Sequence, residues 1–147
     1  MTKLNNKNVI QLAMQIMSLA TVWHFIESQS IAGEVAQILG SYEVQAKKEN
    51  PKFAGFSAAH GDTFFHAKFG PEKKSCTTCH TSDAKAVGRT RANKDIQPMA
   101  PAVNAERLTD QAKVEKWFVR NCQDVLARNC SAQEKGDFVA YLVSIQP

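Results

Sequence analysis

The sequence has no internal repeat and no low-complexity tract, and no segment alternates apolar and polar residues as a half-buried strand would. A sheet-based fold has little to stand on. A strong charge of either sign is also missing. Lys+Arg 18 against Asp+Glu 14 gives a net charge of +4, which is not the basic excess of a nucleic-acid-binding chain. At 44% hydrophobic and 22% charged, the chain is neither disordered nor fibrous. Its 147 residues favour one domain with a modest core.

A clean apolar run of the roughly 20 residues needed to span a bilayer is missing too. The nearest approach lies at the start. Lys3 and Lys7 precede an apolar stretch from Val9 to Phe25, and Ser30-Ile31-Ala32 offers a small-x-small cleavage site. Gln11, Gln15 and His24 interrupt the stretch. A basic start, an apolar middle and small residues at the end describe a secretory signal. Residues 1–32 read as a cleaved signal peptide and 33–147 as the mature domain, in a periplasmic compartment. An uncleaved membrane anchor is the second reading and a buried helix the third. Without Lys3, Lys7 and Glu27 the charge of +4 becomes +3.

What the chain does contain is helical. Val35, Ile38, Leu39, Tyr42 and Val44 fit an amphipathic helix from Gly33 to Lys48, ended by Asn50-Pro51. Ser57 can cap a helix to about Phe69, with Phe64, Phe65 and Phe69 on its apolar side and Gly70-Pro71 as its stop. Residues 87–104 read as an irregular loop. Thr109 starts a helix to about Leu126, and Ser131-Ala132-Gln133-Glu134 is a capping box opening a last helix with Phe138, Tyr141, Leu142 and Ile145 on one side. The expected fold class is all-α.

Four cysteines fall into two pairs. Cys76-Thr77-Thr78-Cys79-His80 is a C-x-x-C-H segment, the spacing of covalent haem attachment. Two thiols three residues apart can each add to a haem vinyl group, and His80 then supplies an axial imidazole to the iron. A zinc site would need two more ligands, and neither a second C-x-x-C nor an H-x3-H follows. A thioredoxin-like dithiol would need a βαβ pattern, which is absent. The expected cofactor is one covalently attached haem c, whose two propionates would bring the charge close to +1. Cys122 and Cys130 stand apart, and an oxidising compartment would let them close a short loop; two free thiols are the alternative.

The second axial position decides the function, because a strong ligand makes an electron carrier and a weak one leaves room for a gas. Met99, in Gln97-Pro98-Met99-Ala100-Pro101, is a thioether on a proline-bounded loop; it could equally fill space beside the porphyrin. Asn121 falls in the middle of an apolar helical face made by Val114, Trp117, Phe118 and Val125. A polar amide there needs a partner, either iron or backbone. Trp117 and Phe118 are the candidate haem-packing residues on that face. His60 and His66 offer bis-His ligation but fit surface or packing positions. Arg89 and Arg91, with Lys94, could pair with haem propionates or form a solvated loop. Lys68, Lys73 and Lys74 could make a positive rim that steers an acidic redox partner.

These residues resemble a known family. Gly61 and Phe65 ahead of C-x-x-C-H, with Tyr141-Leu142 in the last helix, resemble the class I cytochrome c fold, in which first and last helices cross at a small residue. The stretch from Ser75 to Leu142 is similar to the SHP family of oxygen-binding monohaem cytochromes c. The matching pieces are Ser75 to His80, Thr109, Val114-Glu115-Lys116-Trp117, Arg120-Asn121-Cys122, Cys130 and Glu134-Lys135. The resemblance implies His80 and Asn121 as axial ligands, with Asn121 leaving on reduction so that oxygen or nitric oxide binds. It further implies a Cys122–Cys130 disulfide, a dihaem cytochrome c as electron donor, and helices packed around one haem behind an N-terminal helical extension. Whether such a chain turns over as an oxygen-reducing terminal component stays open. A plain electron carrier with His80 and Met99 ligands is the alternative.

Overall fold

The computed structural model describes residues 32–147. The expected signal segment, with His24, lies outside them apart from its last position. Helix α1 runs over residues 32–49. Val35, Ile38, Tyr42 and Ala46 recur at helical spacing and are buried, so this stripe faces the core. Val44, expected on the apolar side, is 56% exposed.

Ser57 caps α2 (Ala58–His66) as expected, its side chain accepting from the His60 N–H. The helix ends three residues before Phe69. Ala67 turns extended, and Phe69 instead pairs with Lys74 across a tight turn in which Gly70 has φ +62. Helix α3 is the single turn Thr77–His80.

Residues 87–104 are more ordered than the composition suggested. Two strands, β1 (Gly88–Arg89) and β2 (Asp95–Ile96), pair antiparallel, Gly88 opposite Ile96. They are too short to leave an alternating signature. A 3-10 turn at Pro101–Val103 follows. Asp110, one residue after the expected start, caps α4 (Gln111–Leu126) by accepting from the Lys113 N–H. The Ser131–Glu134 capping box forms and opens α5 (Ala132–Ser144).

Helices α2 and α5 cross at Gly61. A Cβ there would lie 2.0 Å from the Asp137 carbonyl oxygen and 2.7 Å from the Tyr141 Cβ, so only glycine allows this backbone approach. Phe65, fully buried, packs beside the crossing on Phe138 and Tyr141, with ring centroids 5.9 and 5.6 Å apart. The buried Asp137 carboxylate is satisfied by the Ser57 N–H at 2.7 Å and the Gln133 amide at 2.8 Å.

Helix α4 is tied in by side chains. Phe118 meets Tyr42 of α1 and Phe138 of α5 edge-on. Glu115 accepts from the Tyr42 hydroxyl at 2.9 Å and pairs with the buried Lys135 ammonium of α5. Burial, followed by the neighbouring Glu115 charge, pushes the Tyr42 hydroxyl well above the ordinary tyrosine range. It therefore remains a donor.

Candidate haem-attachment site

Turn α3 carries Cys76 at its N-terminal boundary, Cys79 within it and His80 at its end. Both thiols are free and half-buried. Burial pushes the Cys76 thiol up to about 11, so the free thiol is protonated rather than ionised. Gly88 of β1 is packed against the turn. A Cβ there would lie 2.2 Å from the Cys79 carbonyl oxygen, so the hairpin backbone presses directly on the attachment segment. The His80 imidazole is held below the ordinary histidine range by burial first and by the Arg107 charge second. It is thus neutral, the form that ligates iron. Its Nδ1 is buried and has no hydrogen-bond partner among the described residues.

Beyond His80, the Ala84 carbonyl accepts from the Met99 N–H at 2.8 Å and the Ala100 N–H at 3.0 Å. The Met99 loop is therefore pinned to the segment that follows His80. The Pro98 carbonyl accepts from Asn104 Nδ2 at 2.9 Å and Arg107 Nε at 2.8 Å. Arg107 went unnoticed in the sequence because an arginine in a loop carries no periodic signal; only tertiary contact shows what it holds.

The face of α4 expected to carry Asn121 divides into two stripes. Glu115, Phe118 and Cys122 pack on α1, α5 and the Cys130 sulfur. Val114, Trp117, Asn121 and Val125 form the adjacent stripe, with Trp117 42% exposed and the other three half-buried. The Asn121 side chain makes no hydrogen bond among the described residues. Arg120 sits 5.4 Å from the Trp117 ring centroid, a cation–π distance. A cleft of about 210 Å³ opens at the C-terminal end of α4, lined by Phe69, Pro71, Lys74, Asp124, Val125 and Leu126 among others; of this stripe only Val125 reaches it.

Cys122 and Cys130 are joined in a disulfide, with Cα atoms 5.6 Å apart. Arg89 pairs with Asp95 at 3.1 Å, and Arg91 with Asp124 at 3.1 Å. Lys74 pairs with Glu72 and reaches Asp124 at 3.9 Å. These cations thus have carboxylate partners of their own. His60 is exposed, 3.9 Å from Asp137. His66 bridges α2 to the segment after His80, with Nδ1 2.9 Å from the Asp62 carbonyl oxygen and Nε2 3.0 Å from the Ser82 carbonyl oxygen.

Two free thiols, a neutral imidazole with an unpartnered nitrogen, and an apolar stripe that the described residues leave only partly covered together fit a haem. The crossed helices α2 and α5 and the C-x-x-C-H turn define a class I cytochrome c. The comparisons with known proteins agree. Residues 51–142 match a family described as a domain of unknown function (DUF1924). The chain is 39% identical over 120 residues to the cytochrome c-type protein SHP of Cereibacter sphaeroides, covering 78% of this chain and 88% of that protein. It is 33% identical over 138 residues to cytochrome c'' of Methylophilus methylotrophus, covering 89% and 96%. The solved structure of oxidised SHP, described as an oxygen-binding cytochrome c, matches with TM-score 0.68 at 38% identity, over 76% of this chain and 96% of that one. A solution structure of cytochrome c'', described as bearing on haem-ligand detachment, matches with TM-score 0.67 at 35% identity, over 77% and 94%. The chain belongs to this SHP and cytochrome c'' family, and its cofactor is covalently attached haem c.

Proposed function

We propose that this chain is an exported cytochrome c that takes up an electron and binds a diatomic gas, oxygen or nitric oxide. Cys76 and Cys79 form the two thioethers, His80 is the permanent axial ligand, and Asn121 is a second ligand that gives way on reduction. The haem supplies a one-electron centre with a coordination position for a small ligand. The observation that carries the reading is the stripe of α4 that the described residues leave only partly covered. Its one polar member, Asn121, lacks a protein partner among the described residues while the apolar residues around it wait for a flat hydrophobic surface. A neutral amide is a weak ligand, and the disulfide at Cys122 restrains the backbone beside it. Released from iron, Asn121 stays beside the vacated position with an N–H₂ group able to donate to a bound gas.

Met99 is the weaker candidate because its backbone is tied to Ala84, on the chain segment that continues from His80. The relatives, SHP as an oxygen-binding cytochrome c and cytochrome c'' with its haem-ligand detachment, support a labile ligand. Export to the periplasm accords with the disulfide, and no described helix is long and apolar enough to cross a membrane. A dihaem cytochrome c is the proposed electron donor.

Carbon monoxide added to the reduced protein tests this reading. Rapid and complete spectral conversion is expected. Asn121→Ala should let the ferric form take up added ligands such as imidazole, while Met99→Ala should change little. A failure to react with carbon monoxide, together with a ferric charge-transfer band of thioether ligation, would establish Met99 and a plain electron carrier instead.

A further inference from the structure

Arg107 lies in the loop before α4 and is half-buried. Its Nε donates to the Pro98 carbonyl at 2.8 Å and its Nη2 to the Gln97 carbonyl at 2.6 Å. A guanidinium has five N–H donors, so these bonds fix its plane and leave one edge over. Neither partner carries charge. Among the described residues no carboxylate lies within ion-pair distance of the half-buried Arg107, whereas the buried Lys135 pairs with Glu115. Removing a guanidinium from water without a counter-charge is costly; an anion is expected to complete the arrangement.

The position says which anion. Gln97 and Pro98 directly follow Ile96, which pairs with Gly88, and Gly88 lies against the Cys79 carbonyl. Arg107 is therefore linked to the attachment turn through the β1–β2 hairpin. The carboxylates brought to that place by the cofactor are the haem propionates. Arg89 and Arg91, the arginines nearest to the haem motif in sequence, are already engaged with Asp95 and Asp124.

We propose that Arg107, held edge-on by the Gln97 and Pro98 carbonyls, is the propionate-binding cation of this chain. The inference rests on the haem being attached at Cys76, Cys79 and His80. Asn104, which shares the Pro98 carbonyl with Arg107, helps fix the clamp. A planar guanidinium can meet a carboxylate with two parallel hydrogen bonds, which sets the tilt of the haem as well as its charge environment.

The test is resonance Raman spectroscopy of the full haem-bearing chain, reading the propionate bending band. In Arg107→Gln the band should move to the position of a solvated propionate, and in Arg107→Lys to an intermediate one, since an ammonium keeps the charge and loses the fork. Arg89→Gln and Arg91→Gln should leave the band in place. An unmoved band in Arg107→Gln would overturn the proposal. If that variant fails to retain haem, an unmoved band in Arg107→Lys would overturn it equally. A shift produced by Arg89→Gln or Arg91→Gln and not by either Arg107 variant would return the role to the hairpin. Haem that acid–acetone extracts from the unaltered chain would instead overturn the attachment reading, and this proposal with it.

Discussion

The α2–α5 crossing and helix α4 are built in different ways. At the crossing, backbone touches backbone. Gly61 leaves no room for a Cβ, Phe65 is fully buried, and α5 is the most deeply buried element, with seven of its residues from Ala132 to Leu142 withdrawn from solvent. Helix α4 buries only Cys122 completely and is held by discrete side-chain ties: Phe118, the Glu115 pair and the disulfide. A region in backbone contact cannot yield without losing its packing, because close-packed interiors change discretely. A helix held along one edge can shift slightly on its ties. His80, the proposed permanent ligand, belongs to the part braced by the hairpin, and the proposed labile ligand Asn121 belongs to α4. That division is what the proposed pair of ligands, one fixed and one releasable, would require.

The largest expected effect comes from breaking the rigid half. Gly61→Val would force α2 and α5 apart and should cost about 3 kcal/mol by overpacking, read as a lower denaturation midpoint in guanidinium. A loss below 1 kcal/mol would mean that the crossing is looser than its geometry.

Loosening α4 should cost slightly less stability and act more on the ligand. The pair Cys122→Ser and Cys130→Ser should lose roughly 2–3 kcal/mol in the chain-entropy treatment of so short a loop. It should also make the ferric form accept imidazole or cyanide faster than the parent does. Unchanged ligand uptake would show that the bridge does nothing for Asn121 and would blur the contrast between the two regions.

The smallest effect concerns the tie between α2 and the segment after His80. Both ring nitrogens of His66 face carbonyl oxygens, which can only accept, so only the imidazolium satisfies both. Those bonds, the Asp62 carbonyl first and the Ser82 carbonyl second, raise the His66 pKa above its ordinary 6.5. The nearby Asp62 carboxylate, 3.0 Å away, adds to this, and the Tyr141 ring packs on the other side. A raised folded-state value means that the stabilisation is full below pH 6.5 and is lost as pH rises through that value. His66→Gln should therefore lower thermal stability at pH 5–6 by about 1 kcal/mol, one net hydrogen bond. The gap from the parent should narrow in alkaline solution; a gap independent of pH would show that charge plays no part.

Helix positions were readable to within a few residues because caps and stops are local. Ser57, Ser131 and Glu134 act within one turn of where they stand. The hairpin at 88–96 was not readable, since two-residue strands leave no periodicity and depend on Gly88 meeting the Cys79 carbonyl. The apolar face of α4 was seen as one surface, whereas the fold divides it into a packed stripe and a partly covered one. That division depends on which neighbours exist, and no wheel contains them.

By itself, then, the sequence determined the cofactor class, through five consecutive residues whose spacing is the chemistry, and the helical frame, through capping and hydrophobic spacing. Tertiary structure alone decided which charges are free. Arg89 and Arg91 look available on paper and are paired in the fold. Arg107 looks ordinary and is left half-buried between two carbonyls. Ion pairing depends on distances between residues far apart in the chain, and His80 acquires its surroundings the same way, with its Nδ1 unpartnered and its imidazole kept neutral by burial and by Arg107.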